Sequence, residues 1–114
     1  MQIDDYSYGR LRIRDAVYED DLVVYPERVQ PRWSHREDER VSPVDIRDVL
    51  DYQPDLLIIG QGDSQVMELT PDTRQVLAQL GIEWVARSTG EAVELFNEYQ
   101  APGRRTVGIF HLGP

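Results

Sequence analysis

The chain contains no cysteine. Disulfides, thiolate nucleophiles and cysteine-based zinc or iron–sulfur sites are therefore excluded. It contains no lysine either, so all 12 formal cations are arginines. Histidine is scarce, with only His35 and His111. Long apolar runs are also missing, and none exceeds Leu56–Ile59. A membrane-spanning helix needs about 20 apolar residues, and a signal peptide a run of about 7–15. Neither pattern is met, so the expectation is a cytoplasmic protein without a membrane partner.

Acid is plentiful by contrast. There are 21 Asp and Glu residues, and the formal net charge is −9 over 114 residues. Such a field repels nucleic acid and anionic lipid, so no nucleic-acid partner is expected. Two origins of an arginine-only, Asp-rich, acidic composition stay open. One is a GC-rich genome. The other, toward which the combination points, is a halophilic coat that keeps the surface hydrated in high salt. The length suits a single domain spanning residues 1–114.

The first half reads as β-structure. Tyr6 and Tyr8 alternate on even positions, then Leu11 and Ile13 on odd ones. Strand side chains alternate faces, so the change of phase at Gly9–Arg10 predicts a bulge or bend. Arg10, Arg12 and Arg14 then share a solvated face. Leu22–Tyr25 is a second strand, closed by Pro26. Val29, Pro31 and Trp33 alternate along a third, which Pro31 confines to a sheet edge. Ser34–Arg40 is a charged loop. Ser42-Pro43-Val44-Asp45 carries a helix-start signal, with an N-cap serine, proline at the first position and an acid at the third.

The second half alternates strand and helix. Leu56–Ile59 is apolar on both faces, which suits the central strand of a sheet covered on two sides. Gly60-Gln61-Gly62-Asp63 follows as a turn. Thr70-Pro71 opens a helix closed by Gly81, and Ile82–Ala86 is the next strand. Thr89 caps a third helix, with Ala92, Leu95, Phe96 and Tyr99 at helical spacing. Val107–Leu112 is the last strand. The expected fold is α/β: three layers, a mixed central sheet with covering helices, and an N-terminal antiparallel β extension.

No catalytic constellation accompanies this pattern. Gly60-Gln61-Gly62 lacks the third glycine of a dinucleotide fingerprint, and the next helix starts too far away. Ser64 lies outside the glycines, so a nucleophile elbow is not formed. His35 and His111 have no metal-ligand spacing. His35 reads as a surface residue, and His111 as a satisfied residue at the core edge. Asp4-Asp5 and Asp20-Asp21 lack the ligand spacing of a calcium loop and read as solvated carboxylates. No cofactor or metal is called for. Ligands in open α/β sheets bind outside the carboxyl ends of strands. A small-molecule pocket would therefore be lined by Gly60, Gln61, Gly62, Asp63, Ser88, Thr89 and Gly90.

Several pieces taken in order carry a family resemblance. They are Tyr8-Gly9 with Leu11 and Ile13, Asp21-Leu22-Val23-Val24 with Pro26, Trp33, Leu57–Gly62, Gly81-Ile82-Glu83, Thr89–Val93 with Phe96-Asn97, and Gly103-Arg104. Together they resemble the Mth-type domain family of unknown function. Its relatives include the adipogenesis-associated Mth-domain protein and the mitochondrial complex I assembly factor three. The resemblance implies a three-layer α/β fold and no known reaction. It also implies an assembly or interaction role, through a protein partner or self-association. Family members often have Gly-Thr-Gly where this chain has Gly60-Gln61-Gly62. Many end in His-Leu-Thr-Cys, where this chain has His111-Leu112-Gly113-Pro114. Two functions remain in view: a non-enzymatic binding or assembly module, and a small-molecule-binding protein or enzyme using the strand-end pocket.

Overall fold

The structure is a computed structural model, and it describes residues 1–36 and 39–114. A three-stranded antiparallel sheet comes first, formed by β1 (Asp5–Ser7), β2 (Arg10–Ile13) and β3 (Ala16–Tyr18). The expected bend at Gly9–Arg10 is in fact a full reversal. Ser7 pairs with Arg10 across a two-residue Tyr8-Gly9 turn, with Gly9 at φ +78°. A hairpin and a bulge both shift the alternation, so the pattern alone does not separate them.

The chain continues through β4 (Leu22–Val24), β5 (Val29–Gln30) and β6 (Arg40–Val41). A 3-10 turn (Pro43–Ile46) leads into α1 (Arg47–Tyr52). The remaining elements are β7 (Leu56–Gly60), β8 (Glu68–Leu69), α2 (Pro71–Gln79), β9 (Glu83–Arg87), α3 (Thr89–Glu98) and β10 (Thr106–Phe110). The main sheet has the order β5-β4-β10-β7-β9. Strands β10, β7 and β9 run parallel; on the β10 side, β4 pairs antiparallel with β10, and β5 antiparallel with β4. A small parallel pair, β6 with β8, lies outside it and has no counterpart in the sequence pattern.

The last strand, not Leu56–Ile59, is therefore the middle strand, with β7 beside it. Both are buried along their whole length. Their side chains divide strictly by face. Leu57, Ile59, Val107 and Ile109 pack with Val23, Val49 and Leu77, under α1 and α2. Leu56, Ile58 and Phe110 pack with Leu22, Val24, Ala92, Phe96, Leu11 and Ile13, under α3 and the N-terminal sheet. That makes three layers around one sheet, as the apolar runs predict. Gly108 gives the Phe96–Phe110 edge-to-face pair its room: a Cβ there would lie 2.4 Å from the Phe110 ring.

The caps explain the helix positions. The Thr70 side chain accepts from the Thr73 amide, and Pro71 stands at the first helical turn of α2. The Thr73 hydroxyl in turn donates to the Val41 carbonyl at 2.7 Å, which ties α2 to β6. Asp45 behaves as a capping acid, accepting from the Ser42 amide at 2.8 Å. Thr89 differs from expectation. Ser88 is the N-cap of α3, and the Thr89 side chain is buried in the sheet end. The third expected strand stops at Gln30, because Arg32 takes a left-handed backbone at φ 54° and Trp33 turns into the core. Within the expected Ser34–Arg40 loop, residues 37–38 lie outside the described residues, and Arg40 belongs to β6.

Candidate functional site at the carboxyl end of the sheet

Strands β10, β7 and β9 all point their carboxyl ends to one side of the molecule. The Gly60–Asp63 turn and the Ser88–Gly90 segment meet there, as expected. They meet as a hydrogen-bonded junction. The Gly62 amide donates to the Thr89 hydroxyl oxygen at 2.8 Å, and the Thr89 amide donates to the Gly62 carbonyl at 3.2 Å. The Thr89 hydroxyl donates onward to the His111 carbonyl at 2.6 Å. The Gln61 amide donates to the Arg87 carbonyl, the Asp63 amide to Gly113 and the Ser64 amide to Pro114. Gly62 has φ +99°, and a Cβ on it would lie 2.4 Å from Pro114. At Gly60 a Cβ would touch Phe110 and Thr89 at 3.0 Å. Gly90 lies beside the Tyr6 ring, and Ser88 bonds to Glu91. Asp63 is exposed.

An open cleft of about 640 Å³ lies one strand over, where β10 ends against the start of β4. Glu19, Asp20 and Asp21 line it from the chain entering β4. Arg32, Trp33 and His35 line it from the segment after β5, and His111 and Gly113 from the end of β10. Tyr8 lines it from the hairpin turn.

The register of the sheet builds the centre of this cleft. Leu22 pairs with Phe110, so the next antiparallel step sets Asp21 opposite His111. The Asp21 carboxylate accepts from the Leu112 amide at 2.9 Å on one oxygen. Its other oxygen lies 2.7 Å from His111 Nδ1. That hydrogen bond raises the His111 pKa above the ordinary histidine value. Burial opposes the rise, and the charges of Asp21 and Glu39 add to it. The ring has little freedom, because a Cβ at Gly62 would lie 2.7 Å from its Cδ2 and one at Gly113 3.3 Å from its Nε2.

His35 arrives from the opposite wall. The Trp33 amide donates to the Asp21 carbonyl at 2.8 Å, and its indole N–H donates to the Asp45 carbonyl at 2.9 Å. Trp33 is thereby pinned, and the His35 ring packs on it at 5.3 Å between centroids. The two imidazoles stand edge to face at 6.5 Å. The donor atoms of Asp21, His35 and His111 all lie within 4.8 Å of one another, so this trio could hold a metal.

Sequence spacing does not reveal the trio, since its members lie in three separate segments. Asp21 and His111 meet only because β4 pairs with β10, a contact 90 residues apart. The local signals were weak: Asp21 directly precedes one expected strand, His111 lies near the close of another, and His35 falls in the expected Ser34–Arg40 loop. Asp21 is a partly buried hydrogen-bond acceptor, not a fully solvated carboxylate, and His35 is half-buried. The Asp4 carboxylate pairs with the hairpin cation Arg12 at 3.9 Å.

A family model described as "Protein of unknown function (DUF498/DUF598)" matches residues 3–111, and the chain belongs to that family. Solved structures share the fold. A conserved hypothetical protein from Pyrococcus horikoshii, PH1505, superposes with a TM-score of 0.88 at 23% identity, over 100% of both chains. A Bartonella henselae protein described as an outer membrane protein gives 0.81 at 25% identity, over 98% of this chain and 94% of that one. A Mth938-like domain from Bordetella pertussis gives 0.71 at 19% identity, over 97% and 85%. Among the described residues, no helix of this chain is long and apolar enough to cross a membrane.

Proposed function

We propose that this protein is a non-enzymatic binding or assembly module whose recognition site is the acidic cleft at the end of β10 and the start of β4. The observation that carries this reading is the concentration of Glu19, Asp20 and Asp21 around an open space at the carboxyl ends of the parallel strands. Three carboxylates against the one guanidinium of Arg32 leave the lining net negative, which favours a positively charged group, such as a basic side chain of a partner protein. The exposed Tyr8 ring at the rim supplies a face for the same cation. In this reading Gly60, Gln61, Gly62, Asp63, Ser88, Thr89 and Gly90 brace the site from behind.

Titration with a short arginine-rich peptide, followed by amide and indole NMR shifts, tests the reading. Shifts confined to Gly9, the Trp33 indole, His111 and Gly113, and lost in Asp20→Asn, are expected. Shifts absent, or spread evenly over the acidic surface, would sink it.

A second reading, a small-molecule-binding protein or enzyme, draws on the Asp21–His111 pair. A carboxylate that orients an imidazole beside a cleft is the arrangement of a general base. Ester or amide hydrolysis that is abolished in His111→Gln would favour it over the first.

A further inference from the structure

We infer that Asp21, His35 and His111 form a binding site for a divalent transition-metal cation of the zinc, cobalt or nickel type. The inference rests on the proposal that the acidic cleft is where this protein takes a cation, and it names the cation's class.

Ligand chemistry comes first. Two imidazoles and a carboxylate suit zinc, nickel and cobalt, whereas magnesium and calcium prefer all-oxygen shells. The chain has no thiol, which removes the ligand that copper(I) and iron–sulfur clusters favour.

Geometry comes second. Metal bonds of about 2.0–2.2 Å place neighbouring tetrahedral ligand atoms roughly 3.4 Å apart. The three donors already lie within 4.8 Å of one another. Asp21 is oriented by the Leu112 amide, and the His111 ring by the backbone at Gly62 and Gly113. His35, its ring packed on Trp33, supplies the third donor from the segment after β5. The metal takes the place of the proton between Asp21 and His111 Nδ1, and this pair, now 2.7 Å apart, opens by about 0.7 Å to reach the tetrahedral separation. Water from the open cleft fills the rest of the shell.

The surroundings come third. Glu19 and Asp20 raise the local concentration of any cation near the trio. They do not discriminate between cations, so selectivity for imidazole-binding metals over magnesium is the signature of the site.

The test uses untagged, chelator-stripped full-length protein. Zinc and magnesium are titrated by calorimetry, and cobalt by its visible absorption. One zinc or cobalt per chain, a cobalt spectrum with nitrogen ligation, and no saturable magnesium binding are expected. His35→Ala should weaken zinc binding at least about tenfold in protein that remains folded by its amide NMR spectrum. Asp21→Asn should weaken it to a similar degree. Absent zinc binding, equal affinity for zinc and magnesium, or binding unchanged in His35→Ala and Asp21→Asn would overturn the inference. The arginine-rich peptide separates the two proposals. If it still occupies the cleft when zinc does not, only the metal assignment falls; if neither binds there, both fall.

Discussion

Two regions at the same end of the sheet make a useful contrast. The Gly60–Asp63 junction and the Asp21–His35–His111 cleft both sit at strand carboxyl ends, where open α/β sheets place ligands. In the junction, backbone amides are bonded to Thr89, Arg87, Gly113 and Pro114, and the glycines leave no room for a Cβ. In the cleft, side chains with ligand chemistry face about 640 Å³ of open space. Position at a strand end is therefore insufficient. What decides is whether the polar groups there are already paired and whether a neighbouring segment fills the space.

The largest expected effect comes from breaking the junction. Gly62→Val puts a branched side chain at positive φ and into Pro114, and should destabilise the fold by about 3–5 kcal/mol in urea unfolding. Thr89→Val comes next. It keeps the shape but leaves the buried Gly62 amide and the His111 carbonyl unpaired, for a loss of about 2–4 kcal/mol. A smaller loss would mean that water replaces the hydroxyl, and that the junction is less closed than its geometry shows.

The cleft should respond through pH. The folded His111 pKa is raised, chiefly by its hydrogen bond to Asp21. The proton is then bound more tightly in the folded state than in the unfolded one. The stabilisation is fully present below the unfolded histidine value and is lost as pH rises through the folded value. Urea midpoints of metal-free protein should therefore fall on the alkaline side of the ordinary histidine range. His111→Gln should remove that dependence. In Asp21→Asn the His111 pKa, read from its ring proton shifts, should move down toward the ordinary value. A His111 titration that ignores Asp21→Asn would contradict the pair.

The smallest expected effect on stability is that of His35→Ala, about 1 kcal/mol or less, from the loss of a half-buried ring packed on Trp33. The same substitution in the junction's Thr89 would not be silent. That difference restates the contrast: one region is closed by its own hydrogen bonds, and the other faces open space.

Much of the architecture was legible in the sequence because it depends on local patterns. The double-faced apolar run Leu56–Ile59 announces a strand covered on both sides, and the faces it predicts are those observed. Thr70-Pro71 and Gly81 bound a helix, and the short strand that stops just before Pro31 lies at a sheet edge. The hairpin at Tyr8-Gly9 was half-legible, since a turn and a bulge leave the same trace. Thr89 was read as a cap from its place before a helix, but Ser88 holds that position and Thr89 faces the sheet end.

The candidate site was not legible in the same way. The sequence by itself determined the main strands and helices of the second half, that both faces of the sheet are covered, and that cysteine chemistry is absent. Only the tertiary structure decided that β10 inserts between β4 and β7. That one choice of neighbours puts Asp21 against His111 and folds the Trp33 segment over them. It also moves the open space away from the Gly60 turn. Periodicity reports the faces of an element, which arise from contacts a few residues apart. Strand order arises from pairings across most of the chain, and no local pattern encodes them.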